Sequence, residues 1–530
     1  MHLSPERNMH THIRHQDEHC SCSYAHCRAT LWLAVTPSQT ENPMATSDAR
    51  PVLTPGGTAP ATPTSPSGLA TGTIGLGGAL MQAIAQISPT LGIFYTIAFT
   101  TSQAGPSAPL AYLAAFLVCL LLAAPMAGLA RHLPSAGGLY TYVSAGIGPR
   151  AGFMTGWLYG VSVSIVPAAL AAFTGAVLQD ELSSAYGVSV PWWVYAAVIL
   201  AVCFLCAYRG IGISIKFLVV MTCFEMAVGL GLALTGLFSP GPGGVNVDGF
   251  NPANISSSSG FFLAVVLSIF AFTGFESAAA VGEESRDPRR IIPRAITGSL
   301  VLIGLFYVVT AWGLQVGWGT SDLPALAASP TAPAFVLADR LWNGASLVVL
   351  IALVNSGLGV CIACTTSATR TLYGIARTGA LPQALVKVHP RLRTPVTAVV
   401  LQSAVALVVC VGLGGVLGPY NLFNMLGTTG TFVYIPIFVL MNVAAFRFFR
   451  SRFPQEFSIW AHVVAPVVST VALLTIGYFS LSPLPAFPVL LAPFIAALYA
   501  LTGVAVLFLR NLRPGKRAWM TRAGELPDVE

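Results

Sequence analysis

The sequence is short of charge. Of its 530 residues, 8% are Asp, Glu, Lys or Arg and 55% are hydrophobic. A soluble domain carries about 25% charged residues to coat its surface, so a water-facing globular fold is excluded for most of this chain. A cysteine framework is also missing. Ten cysteines are present, but Cys119, Cys203, Cys206, Cys223 and Cys410 stand singly in apolar stretches, where a thiol serves as a small core residue. Histidine is scarce: beyond residue 75 only His132, His389 and His462 occur, well separated. They assemble into no metal set and no convincing nucleophile–base set. The expectation is therefore no enzyme, no metal and no cofactor. The first residues are polar and His-rich and lack the apolar core of a cleavable signal peptide.

What is there in abundance is apolar run. Stretches of ~20 residues, each long enough to cross ~30 Å of hydrocarbon, recur from 75 to 510. They predict twelve spans, near 75–101, 108–130, 151–178, 190–208, 213–238, 260–285, 293–317, 346–372, 395–416, 421–445, 459–481 and 485–510. With the N-terminus placed in the cytoplasm, the inner ends carry nearly all the basic residues, among them Arg131, Arg150, Arg209, Arg286, Arg289, Arg290, Arg370, Arg377, Lys387 and Arg447. The outer connections hold only Arg340. This is the bias the positive-inside rule requires. It predicts a multi-pass protein of the cytoplasmic membrane with both termini inside. The same bias accounts for the net charge of +7 without a nucleic-acid partner. The ladder Gly152, Gly156, Gly160 opens the third span, and small residues at that spacing let helices approach closely.

The ends differ from the middle. Residues 1–70 read as a disordered tail, rich in Pro, Gly, Thr and Ser over 51–68. Six of the nine histidines lie there with Cys20, Cys22 and Cys27, at a spacing that fits no standard zinc site. Residues 1–43 read as a dispensable extension, since Met44 begins a more ordinary start. The membrane-spanning body reads as 71–510, and 511–530 as a short cytoplasmic tail. The sequence leaves the oligomeric state open.

Two spans contain breaks. The first, "GLGGALMQAIAQISPTLGIFYTIAF", has Pro89 in its middle beside Ser88, Thr90 and Gly92. Proline removes a backbone donor and clashes with the preceding turn. The sixth, "FFLAVVLSIFAFTGFESAAAVGEES", has Thr273-Gly274 followed by Glu276. Each broken span is the first of a run of five. Interruptions at matching positions of two halves point to an inverted-repeat transporter with its site at the midplane; the repeats would be 75–238 and 260–445, with the last two spans at 459–510. Unwinding frees amides and carbonyls that lipid cannot satisfy. Amides at the start of a second half-helix suit a carboxylate, and carbonyls at the end of a first half-helix suit an ammonium. A zwitterion matches both.

Three stretches carry a resemblance: "LARHLPSAGGLYTYVSAGIGPRAGFMTGW" (129–157), "FAFTGFESAAAVGEESRDPRRIIPRAI" (270–296) and "RTLYGIARTGALP" (370–382). Over roughly 75–510 the sequence resembles a bacterial amino acid permease of the amino acid–polyamine–organocation superfamily. The resemblance implies an all-α membrane fold with a five-plus-five inverted repeat (LeuT-like), broken helices 1 and 6, and rocking of a bundle made by spans 1, 2, 6 and 7. It implies uptake of an amino acid or related amine. Where the family usually has a Gly-Ser-Gly-like break that holds the substrate carboxylate, this chain has Ile87-Ser88-Pro89-Thr90-Leu91-Gly92, so that role would fall on Ser88, Thr90 and the amides near Gly92. Phe270 matches an aromatic gate over the substrate, with Ala271 beside it. Thr273, Gly274 and Phe275 match the unwound segment that contacts the amine and side chain. Glu276 matches a carboxylate found in many relatives.

A carboxylate deep in the bilayer is a functional hypothesis by default, and two residues, Glu225 and Glu276, are expected to be of this kind. Glu276 would bind a cationic group, relay a conformational change, or simply cap the free amides of its own half-helix. Glu225 lies mid-span where proton-coupled relatives place a lysine proposed as the proton site; it is expected to be the coupling group, with protons as the coupling ion. Ser356, Thr365 and Thr366 are hydroxyls of the kind that line a sodium site, and equally of the kind that bond their own helix backbone. "GEESRDPRR" (282–290) reads as a cytoplasmic end carrying topology and gate charges. A neutral amino acid is favoured by the apolar neighbours Ile87, Leu91, Phe272 and Phe275. An exchanger, a polyamine or ethanolamine carrier, and a non-transporting sensor remain alternatives.

Overall fold

The computed structural model describes residues 68–511, apart from 256, 330, 331 and 482–485. The predicted tails therefore lie almost wholly outside the described residues, as do the His and Cys cluster of residues 1–43 and the segment after 511. Among the described residues the fold is all helix; the one strand-like feature is an isolated parallel bridge between Ile74 and Ser285. Helices are what lipid selects, because they satisfy their own backbone where no water can.

The chain runs α1 (Leu76–Ile87), α2 (Pro89–Ala104), α3 (Ala108–His132), α4 (Leu139–Gly146), α5 (Pro149–Tyr186), α6 (Trp192–Arg209), α7 (Ile211–Phe238) and α8 (Ser258–Ala271). A 3-10 helix, Phe275–Glu284, follows α8. Then come α9 (Pro288–Trp318), α10 (Leu323–Ala327), α11 (Pro333–Leu341), α12 (Ser346–Arg377), α13 (Val396–Val408), α14 (Gly414–Leu417), α15 (Pro419–Arg452), α16 (Ala465–Phe479) and α17 (Ala492–Asn511). Single π-helical turns join α13 to α14 and precede α16.

Among the described residues, eleven helical stretches are long and apolar enough to cross a membrane. The first, Leu76–His132, runs 57 residues. As one straight helix it would measure about 85 Å, more than twice the hydrocarbon thickness. The 3-10 turn Gly105–Ser107, with Pro106 inside it, divides it into α1–α2 and α3. The predicted spans overlap these helices, but several helices run on further, α5 to Tyr186 and α15 to Arg452. The short helices α4, α10 and α11 are additions that the hydrophobic pattern did not mark, being too short for a span.

Burial sorts the helices. α5 and α12 are the most enclosed: 83% of the α5 core window and 72% of that of α12 are buried, against 17% for the last stretch, Val489–Arg510. The glycine ladder faces this interior. A methyl at Gly152 would overlap Ser144 of α4, and one at Gly156 would press on Ile375 of α12 and Tyr140, so these small residues set the close approach of α5 to its neighbours. Around this centre α1 packs on α7, α9 and α12, α8 packs on α2, α3 and α16, and the 3-10 continuation of α8 packs on α1, α9 and α12.

Candidate functional site

The first break is made by one residue. Ser88 takes φ 66°, ψ 73°, a left-handed conformation that is sparsely populated by residues with a side chain. Pro89 disfavours the helical region for the residue before it and cannot donate to the preceding turn. The ladder stops there and resumes at once, with the Ser88 N–H donating to the Ile84 carbonyl (3.1 Å) and the Gly92 N–H to the Ser88 carbonyl (2.8 Å). The strain, of order 1 kcal/mol or more, is held by contacts from other helices. Ser88 Oγ lies 2.9 Å from Ser356 Oγ of α12.

The free amides at the start of α2 are taken by side chains. The Leu91 N–H donates to Ser356 Oγ (3.4 Å) and the Thr90 N–H to Glu225 Oε2 of α7 (3.4 Å). The Thr90 hydroxyl sits between two oxygens, Glu225 Oε2 at 2.9 Å and the Ala352 carbonyl at 3.3 Å. Thr90 and Glu225 are both buried. An acidic group at the positive end of a half-helix is electrostatically favourable.

The second break belongs to glycine. Gly274 has φ 128°, open to no L side chain without strain. A Cβ there would also lie 2.6–2.8 Å from the backbone of Gln86 and Ile87. The two breaks are thus in backbone contact, an arrangement only a bare Cα permits. Glu276 caps its own segment: Oε2 accepts from the Gly274 N–H (2.9 Å), and Oε1 accepts from Gln86 Nε2 (3.4 Å). The continuation is not an α half-helix but a 3-10 stretch, Phe275–Glu284, interrupted by a kink at Val281 (φ −98°, ψ 15°).

Tyr307 of α9 ties the breaks together. Its hydroxyl reaches the Ala271 carbonyl at the end of α8 (3.1 Å) and the Ser88 carbonyl between α1 and α2 (3.4 Å). A methyl at Gly92 would run into that hydroxyl. Its ring packs edge-on against Phe272 (5.0 Å, 73°). On the other side, Gln82 Nε2 donates to the Ala363 carbonyl (2.9 Å), Ser367 Oγ donates to Gln86 Oε1 (2.9 Å), and Ser277 Oγ donates to the Gln82 carbonyl (3.2 Å). The Tyr159 hydroxyl of α5 faces Gln86, Ser367 and Glu276 without an aligned bond, and Tyr434 of α15 lies beside Glu276.

The structure brings together Ser88, Thr90, Leu91, Gly92 and Glu225 at the first break, and Ala271, Gly274 and Glu276 at the second. Ile87 is buried at the end of α1. Phe275 is buried and stacks on Phe438 of α15 (5.8 Å, 12°). Phe270 stands apart: it is 37% exposed and lines a narrow crevice with Leu473 and Ile476 of α16. Thr273 lines the same crevice, its hydroxyl turned back to the Phe270 carbonyl (2.8 Å). That crevice measures about 20 Å³, space for about one water.

Sequence reasoning passed over Gln82, Gln86 and Tyr307. The two glutamines, one turn apart in an apolar span, were a signal; a single tyrosine among many aromatics was not. It also placed Arg370 among the inner-end charges and counted two bilayer carboxylates. The structure adds a buried ion pair to this inventory. Glu284 is a third buried carboxylate, and Arg370, in α12, grips it with two bonds of 3.1 and 3.2 Å, both side chains 1% exposed. Nearby, Arg377 pairs with Glu283, which also accepts from the Ala136 N–H (2.9 Å). The Glu284 carbonyl accepts from the N–H groups of Thr73 and Ile74, and the Arg286 N–H donates to the Ile74 carbonyl. The start of α1 and the end of the 3-10 helix are therefore joined as well.

Many apolar helices, two of them interrupted where buried polar groups converge, define a multi-pass membrane transporter. The chain belongs to the amino acid permease family, whose model matches residues 78–509; it is a transporter and not an enzyme. It is similar to the low-affinity putrescine importer of Escherichia coli K12, 27% identical over 340 residues that cover 62% of this chain and 72% of that protein. It is 25% identical to the branched-chain amino acid permease of Bacillus subtilis, over 67% of this chain and 76% of the relative. It is 26% identical to the serine/threonine exchanger of the same organism, over 60% and 72%.

Proposed function

We propose that the chain is a secondary active transporter that imports a neutral amino acid across the cytoplasmic membrane by alternating access, with protons as the coupling ion. The observation that carries the reading is the meeting of two helix breaks, at Ser88 and Gly274, with Glu225 bonded directly to the first. In this reading α1–α2 and α3 are separate crossings, making twelve spans in a five-plus-five inverted repeat, and the bias of Arg and Lys puts both termini in the cytoplasm. The substrate carboxylate is received by Ser88, Thr90 and the Leu91 amide beside Gly92, in place of their present bonds to Ser356 and Glu225; the amine by the carbonyls around Ala271–Gly274; the side chain by Phe275 and neighbouring apolar groups. The Thr90, Leu91 and Gly274 amides are all taken by protein groups, which supports an arrangement closed around the breaks that must part to admit an amino acid.

The Thr90 hydroxyl supplies a link between proton and substrate. It has one hydrogen to give. When Glu225 is ionised, Thr90 donates to it. When Glu225 is protonated, the carboxyl donates to Thr90, and Thr90 turns its hydrogen to the Ala352 carbonyl. One proton thus rearranges the donors at the start of α2, where the substrate carboxylate would bind. Glu225→Gln keeps the volume but cannot carry the cycle. We expect it to lose accumulation against a gradient, the ratio of inside to outside substrate falling to about 1, while exchange of labelled for unlabelled substrate persists. Undiminished concentrative uptake by Glu225→Gln would falsify the coupling role.

A polyamine or ethanolamine carrier is the second reading. The relative named as a putrescine importer favours it. Against it, Glu225 and Glu276 already accept from Thr90, Gly274 and Gln86, which leaves less capacity for a diammonium. Thermal stabilisation of the purified protein by the twenty amino acids, common polyamines and ethanolamine separates the readings, because a ligand of the folded state raises apparent stability. Stabilisation by diamines alone would transfer the proposal to the amine carrier.

A further inference from the structure

Apart from the breaks, one large recess lies among α5, α12, α13 and α17, with a volume of about 670 Å³, within the range of small-molecule sites. Its wall is aliphatic: Val161 and Ile165 of α5, Leu401 and Val405 of α13, Val506 and Leu509 of α17. The polar groups on that wall are already engaged with protein. Ser164 Oγ donates to the Gly160 carbonyl (2.6 Å), Gln402 Nε2 to the Ser164 carbonyl (3.2 Å), and Trp157 Nε1 to the Tyr499 carbonyl (3.1 Å). Nothing along the wall seeks a polar ligand. Leu401, Val405 and Leu509 are 47%, 37% and 61% exposed, so the recess opens sideways, toward the hydrocarbon.

One end is different. Arg510 lines the recess and gives one N–H to the Gly379 carbonyl (2.8 Å). A guanidinium has five donors, and among the described residues Arg510 has no acidic partner. Its place is fixed by helix length: α17 has 20 residues, about 30 Å, with Arg510 in its last turn. Gly379 follows the end of α12. Both therefore lie at the membrane–water boundary, at the level of lipid headgroups. Arg513, Lys516 and Arg517 follow in the sequence.

We propose that this recess is a binding site for an anionic membrane phospholipid, its acyl chain lying along α5, α13 and α17 and its phosphate on Arg510. The chemistry selects such an occupant. A dry aliphatic groove with one cation at its interfacial end matches an amphiphile whose hydrocarbon and single negative charge are separated by the same distance. Basic pockets between membrane helices bind acidic headgroups in this way.

The test uses the full-length protein purified in detergent and titrated with phosphatidylglycerol or phosphatidylcholine, read by native mass spectrometry for retained lipid and by thermal unfolding. Phosphatidylglycerol is expected to be retained in preference to phosphatidylcholine and to raise the melting temperature more. Arg510→Gln should reduce that preference about fivefold, the contribution of one basic residue near an acidic headgroup. Val405→Trp, which fills the groove and leaves the charge in place, should lower retention of phosphatidylglycerol. Equal retention of the two lipids by the unaltered protein overturns the proposal, whatever the variants do. So does unchanged retention in Val405→Trp, and so does a stabilisation by glycerol 3-phosphate alone equal to that by the lipid.

Discussion

The two breaks solve the same problem with different residues. At the first, proline ends the helix and a serine absorbs the left-handed turn; the freed amides are then satisfied from outside, by Glu225 on α7 and Ser356 on α12. At the second, glycine makes the turn and Glu276, two residues on, satisfies it from within. The first break is thus wired to other helices and the second largely to itself. Motion or protonation in α7 and α12 is felt at the first break directly. The second break moves with its own cap, and its links to the rest include the backbone contact of Gly274 with Gln86–Ile87, the Gln86 amide, the Ser277 bond to the Gln82 carbonyl, the Phe275–Phe438 stack and the Tyr307 hydroxyl.

The largest expected effect lies where the two broken helices meet again, at the ends remote from the breaks. Arg370→Met strands Glu284 as a buried acid with no cation. Losing one partner of a buried pair costs about 3–5 kcal/mol, so the variant should unfold in detergent well below the unaltered protein, and Glu284→Gln in the same background should recover part of the loss. A melting temperature unchanged from the parent would show that the fork carries no structural weight. Next comes Gly274→Ala, which combines a strained backbone with overlap on Gln86 and Ile87; a cost of about 2–4 kcal/mol and loss of most uptake are expected. Retained uptake would mean that the breaks can separate without harm.

The remaining pair sharpens the contrast. Thr90→Val removes the hydroxyl that Glu225 faces and leaves a buried carboxylate oxygen short of a donor. About 1–3 kcal/mol of stability should go, with uptake reduced more than exchange. Glu276→Gln is the mild counterpart, since an amide oxygen still accepts from the Gly274 N–H; less than about 1 kcal/mol and near-normal uptake of a neutral amino acid are expected. If Glu276→Gln proves the more damaging of the two in uptake assays, the assignment of Glu225 as the active carboxylate and Glu276 as a cap is reversed.

Much of this was legible in the sequence. Apolar runs of the right length mark helices that lipid will impose, and the low charge leaves no other class of fold for the body of the chain. Pro89 and Gly274 announce the breaks because each changes the backbone locally, whatever surrounds it. Glu225 and Glu276 stand out because an acid in an apolar run has no cheap explanation. Other features escaped for a physical reason. The 3-10 form of Phe275–Glu284 follows from packing, since its residues are compatible with an α-helix. Phe270 matches a motif, but its direction depends on the turn that follows it, and it faces the crevice beside α16. Arg370 near a span end looks like any topology charge until Glu284 is found against it.

Sequence alone determined the class, the spans and the places where the backbone must yield, because these rest on local chemistry and on the thickness of a bilayer. Which groups meet was decided only by the tertiary structure. That Glu225 serves the first break, that Tyr307 bridges both, and that Gly274 touches Gln86 and Ile87 depend on contacts between distant residues, 36 to 219 positions apart for the hydrogen bonds. No local pattern encodes such pairings; they are set by how the helices pack.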